Sequence, residues 1–200
     1  MMRILIIGAS GALGQAAVAA LEGRHEIVTA GRSSGDVKVD LTDRASIERM
    51  FKEAGKLDAV VTCTGHAHFG PITTMTEDQF MHGLKDKLMG QVNVVLVGQS
   101  LINDGGSFTL TGGVLDRDPI RKGVNASTVN GALNAFAMSA AIELPRGIRI
   151  NVVSPTVLEV SAQKYDGFFP GHMPVSSARV GLAYVKCVEG AITGKVIELD

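Results

Sequence analysis

Ile4-Leu-Ile-Ile-Gly8-Ala-Ser-Gly11-Ala-Leu-Gly14-Gln15 decides how this chain folds. Ile4 to Ile7 is an apolar, β-branched run of strand length, and Ala16 to Leu21 reads as a helix. Between them Gly8, Gly11 and Gly14 recur every third residue. A strand that turns on glycines into a helix lets a diphosphate approach bare backbone. The phosphate then sits on the first N–H groups of the helix, at the positive end of its dipole. Gly8, Ser10, Gly11, Leu13 and Gly14 are therefore candidate nucleotide-binding residues.

Outward from that turn, strands and helices alternate to the end of the chain. Strands are expected over Glu26 to Ala30, Val37 to Val39, Leu57 to Thr62, Ser107 to Thr111, Ile148 to Val153 and Lys195 to Leu199. Thr42 and Asp43 are N-cap candidates for a helix carrying Ile47, Met50, Phe51 and Ala54 at 3-4 spacing. Thr76-Glu-Asp-Gln79 fits a capping box and opens a long helix running toward Ile102. A second long helix is expected from Asn125 to Leu144, stopped by Pro145 and Gly147, and a last one over Ser176 to Glu189. The stretch between Pro155 and Pro174 is irregular. The expected fold is one α/β domain, a doubly wound Rossmann-type sandwich with a seven-stranded, mainly parallel sheet and helices on both faces. Ligands in such sheets bind beyond the carboxyl ends of the strands, where the strand order reverses.

Composition narrows the function. The chain has 200 residues, 46% hydrophobic but only 4% aromatic, with no Trp. Such an aliphatic core suits a parallel sheet buried on both faces. A net charge of −1, with 20% charged residues, points to no nucleic-acid or membrane partner. No apolar run reaches the roughly 20 residues of a membrane span. Cys63 and Cys187 lack metal or disulfide spacing, so a reducing compartment is expected, and cytoplasm follows by elimination. No Gly-x-Ser-x-Gly elbow is present, and His66-x-His68 has no third ligand nearby, so no metal site is expected.

Four segments, taken in order, resemble the short-chain dehydrogenase/reductase family. Ile7-Gly-Ala-Ser-Gly-Ala-Leu-Gly14 is similar to its glycine turn, with Ile7 for the usual Thr. Asp40-Leu41-Thr42 is similar to the segment beside the adenine, and Thr62-Cys-Thr-Gly65 stands where the family has Asn-Asn-Ala-Gly. Gly147-Ile-Arg-Ile-Asn-Val-Val-Ser-Pro155 is similar to the strand before the nicotinamide, with Thr156 for a Gly. The resemblance implies NAD(P)H binding and hydride transfer to or from a small carbonyl or alcohol. It also implies a homodimer or homotetramer packed through the two long helices. Asp40, Leu41, Thr64, Gly65, Pro155, Thr156 and Val157 join the cofactor candidates on this basis. At the end of the second strand, Arg32 and Ser33 replace the acid that would hold a ribose hydroxyl. A guanidinium beside hydroxyls favours a 2′-phosphate, so NADP(H) is expected over NAD(H).

The family's Tyr-x-x-x-Lys pair has no counterpart in this alignment of motifs. Its Lys falls on Asn130 and its Tyr on Ala126, while its helix Asn falls on Lys87. The serine that fixes the substrate oxygen falls within Thr111-Gly112-Gly113, where Thr111 has the only hydroxyl. Thr111, Lys87, Asn130 and His66 are the catalytic candidates, with His68 and Tyr165 as further proton donors. Three functions stay open. The first is an oxidoreductase with an atypical site, the second a non-catalytic NADP(H)-binding redox sensor or scaffold, and the third, with less behind it, an isomerase that uses bound cofactor as a structural element.

Overall fold

The computed structural model describes residues 1–200. Seven strands form one sheet in the order β3-β2-β1-β4-β5-β6-β7. They are β1 (Arg3–Ile7), β2 (Glu26–Gly31), β3 (Val37–Lys38), β4 (Ala59–Thr62), β5 (Ser107–Thr111), β6 (Arg149–Pro155) and β7 (Val196–Leu199). Every pairing is parallel. The order reverses between β1 and β4, so the carboxyl ends of those two strands mark the expected ligand crevice.

Side-chain parity along β1 builds both layers of the core. Leu5 and Ile7 face α2 (Arg44–Ala54), α4 (Met89–Gly98) and α5 (Val124–Ala140). Ile4 and Ile6 face α1 (Ala12–Leu21) and α6 (Ser177–Glu189). All four are at most 1% exposed, and burying each contributes roughly 1.5–3 kcal/mol. No helix is long and apolar enough to cross a membrane.

Several element boundaries depart from expectation, mostly through local backbone bonds and caps. Helix α1 begins at Ala12 rather than Ala16, because the Gly11 carbonyl already accepts the Gln15 N–H at 2.8 Å. Asp43 caps α2 through the Ala45 N–H, while the hydroxyl of Thr42 turns to Asp40. The capping box at Thr76 and Gln79 forms and opens α3 (Glu77–Gly83). The long helix expected from there is broken by a π-helical turn, Leu84–Leu88, before α4, and it ends at Gly98. The Met89 N–H bonds back to the Leu84 carbonyl, five residues away, so one extra residue is accommodated there. Helix α5 ends at Ala140, with turns continuing toward Leu144. Part of the irregular stretch after β6 is a 3-10 helix, Glu159–Tyr165.

Candidate functional site

The glycine turn after β1 is made by contacts that no other residue permits. Gly8 has φ +84°, in the left-handed region. A Cβ on Gly14 would stand 2.1 Å from the Gly8 carbonyl oxygen and 2.6 Å from the Ala9 Cα. The first turn of α1 therefore rests directly on the backbone it follows. Two clefts meet over this turn, and both are lined by Gly8, Ser10, Thr64 and His66.

The smaller cleft, about 200 Å³, runs beyond β2. Arg32, Ser33, Ser34 and Leu41 line it. The Ser34 hydroxyl bonds Ser10 Oγ at 3.2 Å. The Arg32 side chain is 66% exposed and stands 3.8 Å from Asp40 and 3.7 Å from Asp86. Asp86 went unnoticed in the sequence. It lies on the π-helical turn, its carboxylate is mostly buried, and it accepts the His66 N–H at 2.7 Å.

The larger cleft, about 610 Å³, opens at the switch between β1 and β4. Gly11, Leu13, Gly65, Pro155, Thr156 and Val157 line its cofactor side. Thr156 Oγ1 is buried there without a hydrogen-bond partner. A buried hydroxyl left unpaired is a site for a polar ligand group. Together with a turn that only bare backbone fits, it suits a dinucleotide that ends in a carboxamide. Phe69, Val114, Leu115, Leu158, Tyr165 and Phe169 give the cleft an apolar and aromatic wall. Tyr165 meets Phe169 edge-on, ring centroids 6.0 Å apart.

Lys87 and Asn130 meet at the floor of this cleft. Lys87 Nζ donates to Asn130 Oδ1 at 2.7 Å and to the Gly112 carbonyl at 2.9 Å. Asn130 Nδ2 donates to the Gly113 carbonyl at 3.0 Å. Gly65, at φ +119°, lies so close that a Cβ would stand 2.6 Å from Lys87 Cγ. The lysine stem is thus clamped between the β4 end and α5. Burial pushes Lys87 down to about 8, although the Asp116 carboxylate pulls the other way. Asp116 is itself held by Asn134 at 2.5 Å, Ser154 at 3.1 Å and Arg117 at 2.9 Å.

Three expected site residues lie elsewhere. Thr111 does not line the cleft. Phe108 and Leu110 on β5 pack on the α4/α5 face, so strand alternation sends Thr111 to the α6 face. Its Oγ1 bonds the Thr62 carbonyl at 2.5 Å and the Tyr184 hydroxyl at 2.8 Å, across the sheet from Lys87. Asp40 turns its carboxylate onto Thr42, bonding Oγ1 at 2.7 Å and N–H at 2.9 Å, and lines neither cleft. Gly14 supports the turn from beneath and does not line either cleft. His66 lines both clefts, but its ring is 76% exposed and stands 3.7 Å from Asp86. His68 points its N–H at Asn125 Oδ1.

Sequence reading also missed Gln91. It is fully buried where β4 and β5 stop pairing, beyond Val61 and Thr109. Its side chain accepts from Thr62 Oγ1 and the Thr111 N–H, and donates to the Thr111 carbonyl. One amide thereby satisfies the backbone where the sheet opens into the cleft. A polar residue inside an apolar helix, among Val92, Val94 and Val95, was the available signal.

Residues 4–180 match the family model described as enoyl-(acyl carrier protein) reductase. The solved structure of lin1944 from Listeria innocua is 51% identical, covers 100% of both chains and superposes with a TM-score of 0.98. Tetrahydroxynaphthalene reductase of Pyricularia oryzae is 27% identical across 90% of this chain and 76% of its own. L-xylulose reductase of Mesocricetus auratus is 27% identical across 95% of this chain and 85% of its own. With a family model matched over most of its length and a glycine turn opening onto the sheet's switch point, this chain belongs to the short-chain dehydrogenase/reductase family.

Proposed function

We propose that the chain is an NADP(H)-dependent oxidoreductase acting on a small carbonyl or alcohol through an atypical reactive site. One observation carries this. The two clefts share Gly8, Ser10, Thr64 and His66, so a single groove passes from Arg32, over the glycine turn, to Lys87 and Thr156. An extended dinucleotide has that shape. Arg32, Ser33 and Ser34 would take the 2′-phosphate, the N–H groups opening α1 the diphosphate, and Thr156 the carboxamide. When bound, the reduced nicotinamide supplies a hydride. Both curated relatives quoted above are named as reductases.

The reactive end departs from the family pattern. Ala126, at the tyrosine position, lines the cleft and carries no proton, and Asn130 stands at the lysine position. That departure favours a second reading, a protein that binds NADP(H) without turnover. Exposed Met89 and Leu96 on α4, Met138 on α5 and Ile142 just beyond it support the expected homo-oligomer through the long helices.

Calorimetry tests the cofactor. NADPH is expected to bind more tightly than NADH, and Arg32→Ala to erase the difference. Equal affinities in the unaltered protein would refute the preference. NADPH oxidation with a broad panel of aldehydes and ketones then separates the two readings: binding with no turnover anywhere selects the non-catalytic one.

A further inference from the structure

We propose that Lys87 is the proton donor of the reactive site, its ammonium protonating the substrate oxygen as that oxygen becomes an alcohol. This rests on the oxidoreductase reading and names the group that completes it. Ionisable side chains lining the larger cleft are Cys63, His66, Lys87 and Tyr165. Cys63 lies on the α6 side of the sheet, and burial pushes its thiol up to about 12, so it holds its proton. His66 is turned outward to Asp86, toward the adenosine end. Tyr165 is on the 3-10 helix after β6, against Phe169. Thr111 is across the sheet, and Gly112 and Gly113 offer no hydroxyl.

Lys87 alone among these is fixed in the floor of the cleft. An ammonium has three donors, and Asn130 Oδ1 and the Gly112 carbonyl take two of them. One N–H remains for a ligand. The stem cannot swing toward β4, because the Gly65 backbone already touches it. The charged groups around the ammonium are few. Asp116, on the turn after β5, is its carboxylate neighbour and is shared with Arg117. α5 presents the neutral Asn130, and on the lysine's own turn Asp86 is engaged with His66 and Arg32. Burial and Asp116 together leave the amine titrating near 8, where proton transfer is efficient at neutral pH.

The step balances. A reduced nicotinamide, when bound, would supply the hydride for the new C–H bond at the carbonyl carbon, the C=O π pair moving to oxygen. As the O–H bond forms, the Nζ–H bond of Lys87 breaks and leaves a neutral amine. Water reprotonates that amine before the next turnover. In alcohol oxidation the neutral amine accepts the proton instead.

The experiment uses the full chain with NADPH and three probes, diacetyl, benzaldehyde and cyclohexanone, and compares K87R and K87M with the unaltered protein. For whichever probe is reduced, kcat should fall about 10²–10⁴-fold in both variants, while NADPH affinity changes less than about tenfold. K87R keeps the charge but cannot release a proton at neutral pH, so it separates proton transfer from electrostatic support. The unaltered protein should lose reduction rate as pH rises through about 8, and residual activity in K87R should lack that limb. A readout free of turnover runs beside it. In ¹⁵N-lysine-labelled protein without ligand, one Nζ signal should titrate near 8 and vanish in K87M. If K87M does not fold, K87R and the unaltered protein's titration carry the test. Retention of rate within about threefold in K87R overturns the proposal and leaves the oxidoreductase reading standing. So does a Lys87 signal that titrates with the other lysines. NADPH binding with no reduction of these probes, nor of any member of the broad aldehyde and ketone panel, overturns both.

Discussion

The two ends of the groove are built from different materials. At the glycine turn the ligand surface is backbone, fixed by residues six positions apart in sequence: Gly14 packs on Gly8. At the reactive end the surface is side chain, and its partners are distant. Lys87 meets Asn130 across 43 residues, and Asp116 meets Ser154 across 38. The first end is specified locally and tolerates no Cβ. The second depends on the whole sheet being assembled, because its hydrogen bonds join separate elements.

Gly14→Ala attacks the local end and carries the largest expected effect. Its methyl would stand 2.1 Å from the Gly8 carbonyl oxygen, and no flexible side chain is there to yield. Relief requires the turn and α1 to separate. NADPH affinity should fall at least about 100-fold and stability by about 3 kcal/mol, read by calorimetry and urea unfolding. Near-normal affinity would mean the turn is not the diphosphate cradle.

Asn130→Lys attacks the assembled end. It places a second ammonium where Lys87 Nζ now finds Asn130 Oδ1 at 2.7 Å. Two partly buried like charges should cost about 3 kcal/mol at pH 7, and less at pH 10, where one amine is neutral. The exchange K87N/N130K restores one lysine and one amide to the same place. It should recover most of that loss. A double-mutant cycle in urea measures the coupling, and strict additivity would show that the two residues do not act as a pair.

How much of this was legible follows the same division. The glycine turn and the capping box at Thr76 need only neighbours in sequence, and both stand in the fold, whereas the switch in strand order lies where β1 pairs with β4, residues more than fifty apart. Strand parity held the answer for Thr111, because apolar Phe108 and Leu110 assign the opposite face to Thr109 and Thr111. Taking Thr111 for its hydroxyl overlooked that alternation. Asp86, Asp116 and Tyr184 carried no sequence signal of comparable force. Each acquires its role from a partner on another element, and nothing in the spacing of residues 84–88 announces a π-helical turn.

Stability against pH sharpens the comparison from the lysine's side. Lys87 is held at about 8 when folded, against the usual 10.5. Below pH 8 both folded and unfolded chains carry the proton, and the folded state bears the full cost of the buried charge. Between 8 and 10.5 the unfolded chain binds a proton that the folded chain lacks, so this group's contribution rises with pH. The gain spans up to about 3 kcal/mol and is complete above 10.5. Urea midpoints at pH 8 and 10 should therefore diverge between the unaltered protein and K87M. Parallel changes would show that the ammonium is well solvated.

Asp86→Asn is the mildest change and tests the adenosine end. The Asp86 carboxylate stands 3.7 Å from Arg32 and accepts the His66 N–H at 2.7 Å. An asparagine oxygen can keep the second contact while removing the charge of the first. Arg32, 66% exposed, would then have only Asp40 at 3.8 Å to compete with an incoming phosphate. An exposed pair of this kind is worth about 1 kcal/mol or less, so NADPH should bind about threefold to fivefold tighter. NADH, which brings no 2′-phosphate, should be unaffected. The gain should shrink in 0.5 M salt, because the Debye length there is shorter than the reach of the Arg32 side chain. An equal gain for both nucleotides would place the Asp86 effect on the adenine or ribose, and would take the 2′-phosphate away from Arg32.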